Sequence, residues 1–168
     1  IVRTGLTSWK IVDLTPFSGL PIAGGLAAFP LNGAWLDDWL VDRTGTLPVD
    51  TEFAEALSIS RAVMLGHGKY RVNTKKVLPP GATVKGASEH SILDARMADV
   101  LFEFPVETGR NVKVFRDFHV FSTGNEMFPN GCVFKCPGVA PGATVRYTSG
   151  YKFENIEVGG GGSFGCIW

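Results

Sequence analysis

The side chains best suited to acid–base chemistry lie in a six-residue motif that occurs twice. Residues 115–120 (FRDFHV) return as residues 153–158 (FENIEV), a shift of 38 (153 − 115). If the two copies stack, His119 lies near Glu157 and Arg116 near Glu154 on the outward side. Glycoside hydrolysis needs two carboxyl groups, one of them with a raised pKa, and a lyase needs a base beside an acidic sugar. These four residues are therefore candidates for an acid/base set.

The alternative interpretation is that the four side chains are complementary charges on a solvated surface. Such exposed ion pairs contribute little stability and occur on most proteins. The sequence does not decide between hydrolase, lyase and non-catalytic chemistry. We therefore assign no catalytic residue.

Other chemical candidates have simpler structural explanations. Cys132 and Cys136 resemble half of a metal site, but no second pair or His cluster completes four ligands, so buried thiols are expected. His67 lies between two glycines and is expected in a turn. Trp35 and Trp39 could stack on sugar rings, although packing of a short helix explains them as well.

Two familiar kinds of site are excluded by their missing partners. Residues 159–162 are all glycine, but no Lys-Ser/Thr follows and no helix begins there, so they are not a phosphate-binding loop. Nothing in the chain resembles a Ser-His-Asp or Cys-His triad. We assign no cofactor-binding residue and no metal ligand.

Composition favours an all-β protein. Sixteen Lys and Arg balance sixteen Asp and Glu, so the net charge is +0 and nothing attracts the chain to nucleic acid or an anionic membrane in bulk. The 21 Gly and 12 Phe provide many tight turns and many large rings for burial. The length is enough for one medium-sized domain with its own core.

Residues 62–95 predict the architecture that must position any site. Short apolar runs at residues 63–65, 70–72 and 83–85 are interrupted by Gly or Pro before they can lengthen. This pattern predicts short strands, and no amphipathic helix fits between them. A chain of short strands without crossover helices can coil on itself, each turn burying its face on the next.

Two loose repeats favour such a coil. Residues 80–85 return as 141–146, a shift of 61 (141 − 80), and both shifts lie near small multiples of about 20 residues, the size of one β-solenoid turn. Residues 104–111 and 124–131 are predicted as loops that leave the coil. In the six-residue repeat, every second residue points inward except at Asp117 and Asn155, which are expected to stack at a left-handed corner. The inward pairs are Phe115/Phe153, Phe118/Ile156 and Val120/Val158.

The first 59 residues are more varied. Residues 9–12 predict a strand, and residues 14–36 carry no charge. Three prolines in that stretch argue against a membrane-spanning helix, so we expect extended chain buried against a partner or identical neighbours. Residues 35–41 predict a helix whose stripe is Trp35, Leu36, Trp39 and Leu40, with Asp37 and Asp38 opposite. Asp50 is the expected N-cap of a helix over residues 51–59, whose apolar face is Phe53, Ala54 and Leu57.

Together these residues resemble the entry of the pectin-lyase-like right-handed parallel β-helix, most closely in the versions found in bacteriophage tailspikes and related polysaccharide depolymerases. The resemblance covers residues 50–168 and is strongest over residues 50–95. It is carried by D-T-x-F-x-x-A-L from Asp50, V-M-L-G-x-G-x-Y-x-V from Val63, L-P-P-G-x-T-V-x-G from Leu78 and Ile92-Leu93. The acidic, Gly-rich segment that is common just before the β-helix is replaced here by residues 41–47. This departure affects the choice of subfamily more than the choice of fold.

The resemblance implies a single-stranded right-handed parallel β-helix over residues 49–168, incomplete at its C-terminus, with a short capping helix. Residues 1–48 would be an extended neck that anchors a homotrimer to a phage tail or baseplate protein. The implied function is a virion tailspike, extracellular, that binds and degrades bacterial surface polysaccharide without a cofactor. Active sites of the family usually lie farther along the coil or between subunits, so the resemblance implies that these 168 residues lack a complete catalytic site. The start at Ile1 and the stop at Trp168 fit a piece of a longer protein.

Two alternatives remain open. The first is a secreted, monomeric polysaccharide lyase or glycoside hydrolase of the same fold, and the second is a non-catalytic structural β-helix. A stable, detergent-resistant trimer favours the tailspike, whereas a monomer of the intact protein favours the enzyme. The glycan and the particle protein are not specified by the sequence.

Overall fold

The computed structural model describes residues 9–13, 20–22, 26–30, 33–96, 100–105, 112–122, 132–135, 150–160 and 165–167. Within these ranges the chain forms fifteen strands, one α-helix and one short 3-10 helix. The predicted repeat copy at 141–146, the predicted loop at 124–131, Cys136 and most of the predicted loop at 104–111 lie outside the described residues. The chain is an all-β protein whose strands are mostly paired in parallel.

The elements follow in chain order: β1 (Trp9–Asp13), β2 (Leu20–Ile22), β3 (Leu26–Pro30), β4 (Ala34–Trp35), the 3-10 helix (Leu36–Trp39), β5 (Thr44–Pro48), α1 (Asp50–Ile59), β6 (Ala62–Leu65), β7 (Gly68–Val72), β8 (Lys76–Val77), β9 (Thr83–Gly86), β10 (Ser91–Ala95), β11 (Val100–Glu103), β12 (Val112–Ser122), β13 (Cys132–Lys135), β14 (Gly150–Gly160) and β15 (Gly165–Ile167). The strands predicted over residues 9–12, 63–65, 70–72 and 83–85 are confirmed as β1, β6, β7 and β9.

These strands form three sheets within the described ranges. A small antiparallel sheet has the order β1-β3-β2. A large parallel sheet contains β4, β5, β6, β7, β9, β10, β12 and β14, and a second parallel sheet has the order β15-β13-β11-β8. After β7 the chain alternates between the two parallel sheets, because β8, β11, β13 and β15 each follow a strand of the large sheet.

The large sheet is built in five layers that succeed one another along the chain. The layers are β4 with β5, β6 with β7, β9 with β10, then β12 alone and β14 alone. One column of parallel pairing runs from β4 through β6 and β9 to the first half of β12. A second column beside it runs from β5 through β7 and β10 to the second half of β12. β14 then pairs with β12 along its whole length. The long strand β12 therefore replaces the two shorter strands of the layer before it, and β14 repeats the long form.

Apolar side chains stand directly opposite one another across the layers. One column contains Ala34, Val63, Val84, Phe115 and Phe153, and the first four of these are completely buried. The rings of Phe115 and Phe153 stack at 5.4 Å with an interplanar angle of 17°. The predicted inward pairing of the two repeat copies is therefore confirmed.

The two parallel sheets share one interior. Phe102 on β11 stacks on Phe134 on β13 at 5.6 Å, and Phe102 also contacts Phe115 of the large sheet at 5.5 Å. Phe134 meets Phe115 edge-on at 4.9 Å. Burial of a large aromatic side chain contributes roughly 1.5–3 kcal/mol, so this cluster is the main source of cohesion between the sheets.

The break in alternation is a left-handed corner, as predicted. Asp117 has φ 61° and Asn155 has φ 49°, and the Asn155 Nδ2 donates a hydrogen bond to Asp117 Oδ1 at 3.0 Å. The corner continues into the preceding layer at Gly86. A Cβ on Gly86 would overlap the Asp117 carbonyl oxygen and lie 2.7 Å from the Ser91 Cβ, so only glycine fits there.

The expected regular spacing of about 20 residues is wrong for most layers. Val63 pairs with Val84, an offset of 21 (84 − 63), but Val84 pairs with Phe115 at 31 (115 − 84) and Phe115 with Phe153 at 38 (153 − 115). The shift of 38 is therefore one layer and not two. Longer connections between strands add residues to a layer without changing the register in which its strands pair with the next layer.

The α-helix is confirmed, but its predicted cap and face are partly wrong. α1 begins at Asp50, its N-cap is Val49 and no side chain caps it, because the Asp50 carboxylate is used by residues 73–76 instead. Phe53 and Ala56 are the buried residues and Leu57 is half-buried, whereas Ala54 is exposed. The Phe53 ring lies 6.3 Å from Phe102, which attaches the helix to the shared interior.

The predicted helical stripe over residues 35–41 is also partly wrong. Only Leu36–Trp39 is helical, and the chain leaves it through Leu40 in the left-handed region (φ 55°) with its side chain 94% exposed. Leu36 is buried, and the half-buried Trp39 donates its indole N–H to Glu55 Oε2 at 3.0 Å. β4 and β5, which flank this 3-10 helix, both pair with strands of the large sheet.

Replacing Asn155 tests the left-handed corner. We expect Asn155→Val to lower the free energy of unfolding by about 1–2 kcal/mol relative to Asn155→Gly, because a β-branched residue is strained at positive φ and glycine is not. Urea denaturation followed by circular dichroism measures the difference. Glu157→Val, at an exposed position of the same strand, is the control, and an equal loss at both positions would contradict the prediction.

Candidate functional site

The outward face of the large sheet carries a group of polar and aromatic side chains. Between the inward columns, two outward rows run across the layers. The strand register defines the rows as Thr44, Lys69, Ile92, His119 and Glu157, and as Pro48, Arg71, Asp94, Phe121 and Gly159. Parallel strands lie about 4.8 Å apart, so neighbours within a row are in contact range. We call the part formed by Lys69, Asp94, Arg96, His119 and Phe121 the outer-face cluster.

Asp94 is the centre of the outer-face cluster. Its side chain is 0% exposed although it points away from the apolar interior. Arg96 donates from Nε at 3.2 Å and from Nη2 at 3.0 Å to Asp94 Oδ2, and Lys69 Nζ lies 3.5 Å from the same oxygen. A carboxylate removed from water costs free energy unless cations and hydrogen bonds surround it. The two cations therefore stabilise the buried carboxylate of Asp94, and Asp94 in turn fixes the positions of the two cations.

Phe121 supplies an aromatic surface beside the charges. Lys69 Nζ lies 5.5 Å from the centroid of the Phe121 ring, and the His119 ring meets it nearly edge-on at 5.8 Å. On its other side Phe121 pairs in register with Gly159, which has no side chain. The space above Gly159 is taken by the His119 ring, so Phe121 and His119 together form the aromatic surface at this point.

His119 is held differently from an ordinary surface histidine. Its Nε2 atom is shielded from solvent and has no hydrogen-bond partner among the described residues. A Cβ on Gly159 would lie only 3.1 Å from that nitrogen, so the imidazole lies across Gly159. A buried polar atom without a partner costs free energy, and a ligand could reach this nitrogen only if the imidazole turned away from Gly159.

The sequence-predicted acid/base set is brought into neighbouring positions but is not joined. Arg116 pairs in register with Glu154, and His119 with Glu157, as predicted. No ion pair connects either couple in the described structure. Glu154 instead contacts Lys152 at 2.9 Å, and Arg116 Nε lies 3.9 Å from Asp117 Oδ2, which is too long for a hydrogen bond. Whether these residues act on a glycan stays a prediction.

A second candidate is an open groove of ≈ 450 Å³ between α1 and β8. Apolar side chains, including Leu57, Val77 and Pro105, form most of its wall. At one end Lys76 Nζ contacts Asp50 Oδ1 at 2.6 Å, and the Lys76 side chain is only 4% exposed. The groove therefore ends at a nearly buried ion pair and offers few polar groups to orient a ligand.

Asp50 ties the helix to the strand that follows it. Its carboxylate accepts hydrogen bonds from the backbone N–H groups of Asn73 and Thr74 as well as from Lys76. Burial opposes the charge of Asp50, but the hydrogen bonds from Lys76, Thr74 and Asn73 outweigh it and hold the pKa of Asp50 below its ordinary value. Burial also lowers the pKa of Lys76, although Asp50 opposes that shift. This pair is best explained as a structural clamp.

A third polar contact, between Asp37 and Tyr70, was not predicted. The Tyr70 hydroxyl donates to Asp37 Oδ1 at 2.5 Å, and Arg43 Nη1 lies 3.3 Å from Asp37 Oδ2. Burial of Tyr70, reinforced by Asp37, raises the pKa of the phenol well above its ordinary value. A completely buried phenol that holds its proton so strongly is a poor base, so this contact fixes the entry to β7. A Cβ on Gly66 would overlap Asp37 Oδ2, which explains that glycine.

The remaining candidates stay structural. His67 lies in the bend between β6 and β7, exposed as expected, with Nε2 3.3 Å from the Ser88 Oγ. Cys132 is buried, and its thiol donates to the Phe134 carbonyl oxygen at 3.2 Å. In the part of the chain that the structure describes, no group of three or more His, Cys, Asp or Glu could hold a metal ion. No described helix is long and apolar enough to cross a membrane.

Comparison with known proteins identifies no family. No protein-family model matches the chain, and no curated protein matches it. The strand arrangement and the outer-face cluster are therefore the features of the molecule that bear on its function.

Replacing Asp50 tests the clamp. We expect Asp50→Asn to lower the free energy of unfolding at pH 7 by about 1–3 kcal/mol, because Lys76 then keeps a nearly buried charge without a carboxylate. The pKa of Asp50 is lower in the folded chain than its unfolded value of about 3.8. The advantage of the native protein is therefore complete above about pH 5 and disappears as the pH falls through the folded pKa.

Chemical denaturation from pH 2.5 to pH 7 measures this difference. The double variant Asp50→Asn/Lys76→Met removes both charges and is expected to recover part of the loss. Glu157→Gln is the matched control, since it neutralises an exposed carboxylate without an ion pair. A loss that is the same at every pH would rule out the charge of Asp50 as its source.

Proposed function

We propose that residues 34–167 are the start of a right-handed parallel β-helix and that the chain is the N-terminal portion of a phage tailspike. In this proposal the N-terminal residues attach a homotrimer to a tail or baseplate protein of the virion. The β-helix outside the particle binds and degrades polysaccharide on the bacterial surface. The proposal is our own extension of the strand arrangement and of the sequence resemblance.

The observation that supports the proposal best is the layered pairing with alternation between two parallel sheets. From the layer of β6 and β7 onward, the chain passes through two segments of the large sheet and one strand of the second sheet before it returns to pair with itself. Like side chains then stack, as in Phe115 on Phe153 and Phe102 on Phe134. This is the arrangement expected of a β-solenoid, in which each repeat contacts only its neighbours.

The outer-face cluster supports the polysaccharide part of the proposal. Sugar-binding sites need a flat apolar surface with a few fixed polar groups, and Phe121 beside Gly159 with Lys69 and Arg96 has that composition. A solenoid also presents an extended surface along its axis, which suits a polymeric ligand better than a closed pocket does.

The trimer is tested on the intact protein by light scattering after size-exclusion chromatography and by gel electrophoresis in detergent without heating. We expect the mass of three chains and a band that reaches monomer mobility only after boiling. Residues 14–36 carry no charge, and three copies meeting on an axis would bury them. The mass of a single chain would contradict the tailspike and favour the secreted monomeric enzyme.

The polysaccharide function is tested with purified lipopolysaccharides and capsular polysaccharides from a panel of bacterial strains. We expect binding to a small subset by the intact protein. We expect no new reducing ends or unsaturated products from these 168 residues alone, since no catalytic residue is assigned among them. Cleavage by the 168-residue chain would overturn that expectation, and binding to none of the panel would overturn the polysaccharide function.

A further inference from the structure

The charge of the outer-face cluster is not balanced. Lys69 and Arg96, with Arg71 beside the cluster, bring three positive charges to adjoining positions, and Asp94 is the one carboxylate among the described residues that contacts Lys69 and Arg96. Arg71 donates to two neutral acceptors, Asn73 Oδ1 and the Thr46 carbonyl oxygen. With Glu157 counted in the same row, the described residues of this face carry three positive and two negative charges, an excess of one. Such an excess attracts an anionic ligand and raises its rate of association.

We infer that the outer-face cluster binds a carboxylate-bearing sugar residue of a polysaccharide, with Lys69 and Arg96 on the carboxylate and Phe121 under the ring. This inference rests on the proposed polysaccharide-binding function and specifies its ligand and place. Asp94 is a positioning residue in this site. It does not touch the sugar but holds the two cations that do.

The two cations keep donors for a ligand after they have bound Asp94. Arg96 uses Nε and one N–H of Nη2, so its Nη1–Nη2 end remains able to receive a second carboxylate through two hydrogen bonds. Lys69 has three donors and places one toward Asp94. The side chains of Lys69 and Arg96 are 27% and 36% exposed, so solvent reaches both.

Asp94 makes the two cations ready to bind. Long Lys and Arg side chains ordinarily lose conformational entropy when they grip a ligand. Here a completely buried carboxylate has fixed both side chains before any ligand arrives. The two side chains have therefore already lost this conformational entropy when the protein folds. Binding of a small charged group then requires less further ordering, which favours tight binding.

Phe121 and Gly159 provide the surface for the sugar ring. The aliphatic face of a sugar packs on an aromatic ring, and Phe121 provides that ring. The His119 ring, which covers Gly159 and meets Phe121 nearly edge-on at 5.8 Å, extends the aromatic surface toward β14. Glu157 lies beyond His119 in the same row and sets an acidic limit to the site.

The inference is tested with the intact protein and defined probes in isothermal titration calorimetry. Oligogalacturonate and oligosialate carry carboxylates, methyl-esterified oligogalacturonate and dextran are neutral, and dextran sulfate carries a different anion. We expect binding of at least one carboxylated probe, and a loss of about tenfold or more in affinity for Arg96→Ala and for Lys69→Ala. Phe121→Leu is expected to lose several-fold.

Lys135→Ala is the matched control, because it removes one exposed cation from the second parallel sheet and is expected to leave affinity unchanged. Asp94→Asn separates positioning from simple charge. It makes the face more positive, so electrostatics alone predicts tighter binding of an anion, whereas a positioning role predicts weaker binding. The melting temperature of each variant shows that it is folded. If Asp94→Asn does not fold, the Lys69 and Arg96 variants still decide the question.

Each outcome has one meaning. Equal affinity of Arg96→Ala and the native protein for a carboxylated probe overturns the inference, and so does binding of neutral probes only. Dextran sulfate binding as tightly and with the same sensitivity to Arg96→Ala overturns the assignment to carboxylates. If the native protein binds bacterial polysaccharides but these variants do not change that binding, the proposed function stands without this site. Binding of no polysaccharide at all overturns the proposed function itself.

Discussion

The structure depends on one constraint, which is that each layer must pair its backbone in parallel with the previous layer while like side chains meet inside. Parallel pairing satisfies the N–H and C=O groups of both strands only when their register is shared over several residues. The column from Ala34 to Phe153 shows that the same register also closes the apolar interior. A shift by one residue would turn every inward side chain outward, so the aromatic column and the hydrogen bonds enforce each other.

The same constraint makes the outward face a rigid support. The strand register that fixes the inward residues also fixes the spacing of the outward residues that alternate with them. The outward residues therefore need no interactions of their own to reach these positions. Asp94 and Phe121 lie side by side because Leu93 and Val120 are paired beneath them. The outer-face cluster thus inherits its geometry from the core, and substitutions there change binding with little effect on the fold as long as Asp94 keeps its cations.

Much of the fold could be predicted because its signals are local. Residue type and alternation were enough to predict the short strands β6, β7 and β9 and the helix before them. They were also enough for the inward pairing of Phe115 with Phe153 and for the corner at Asp117.

The candidate site could not be predicted in the same way. Arg71, Asp94 and Phe121 meet through offsets of 23 (94 − 71) and 27 (121 − 94), which depend on connection lengths that follow no period. The roles of the Asp50 and Asp37 carboxylates were not predicted for a related reason. Their hydrogen-bond partners lie in segments that only the tertiary structure brings near. The predicted couple of His119 and Glu157 was found because the motif repeats, and a unique carboxylate such as Asp94 has no repeat to reveal it.

The close approach at Gly86 couples two positions that are 31 residues apart in the chain (117 − 86). Because the Asp117 carbonyl oxygen occupies the space where a side chain at position 86 would begin, the two positions cannot vary independently. Asp117 adopts its backbone conformation to turn the layer, and that turn directs its carbonyl into the previous layer. In a library of random variants, position 86 will accept only glycine while the turn at 117 persists. Any chain that tolerates another residue at 86 must also have changed its path at 117, so the evolutionary histories of these two sites are linked through the backbone and not through side-chain chemistry.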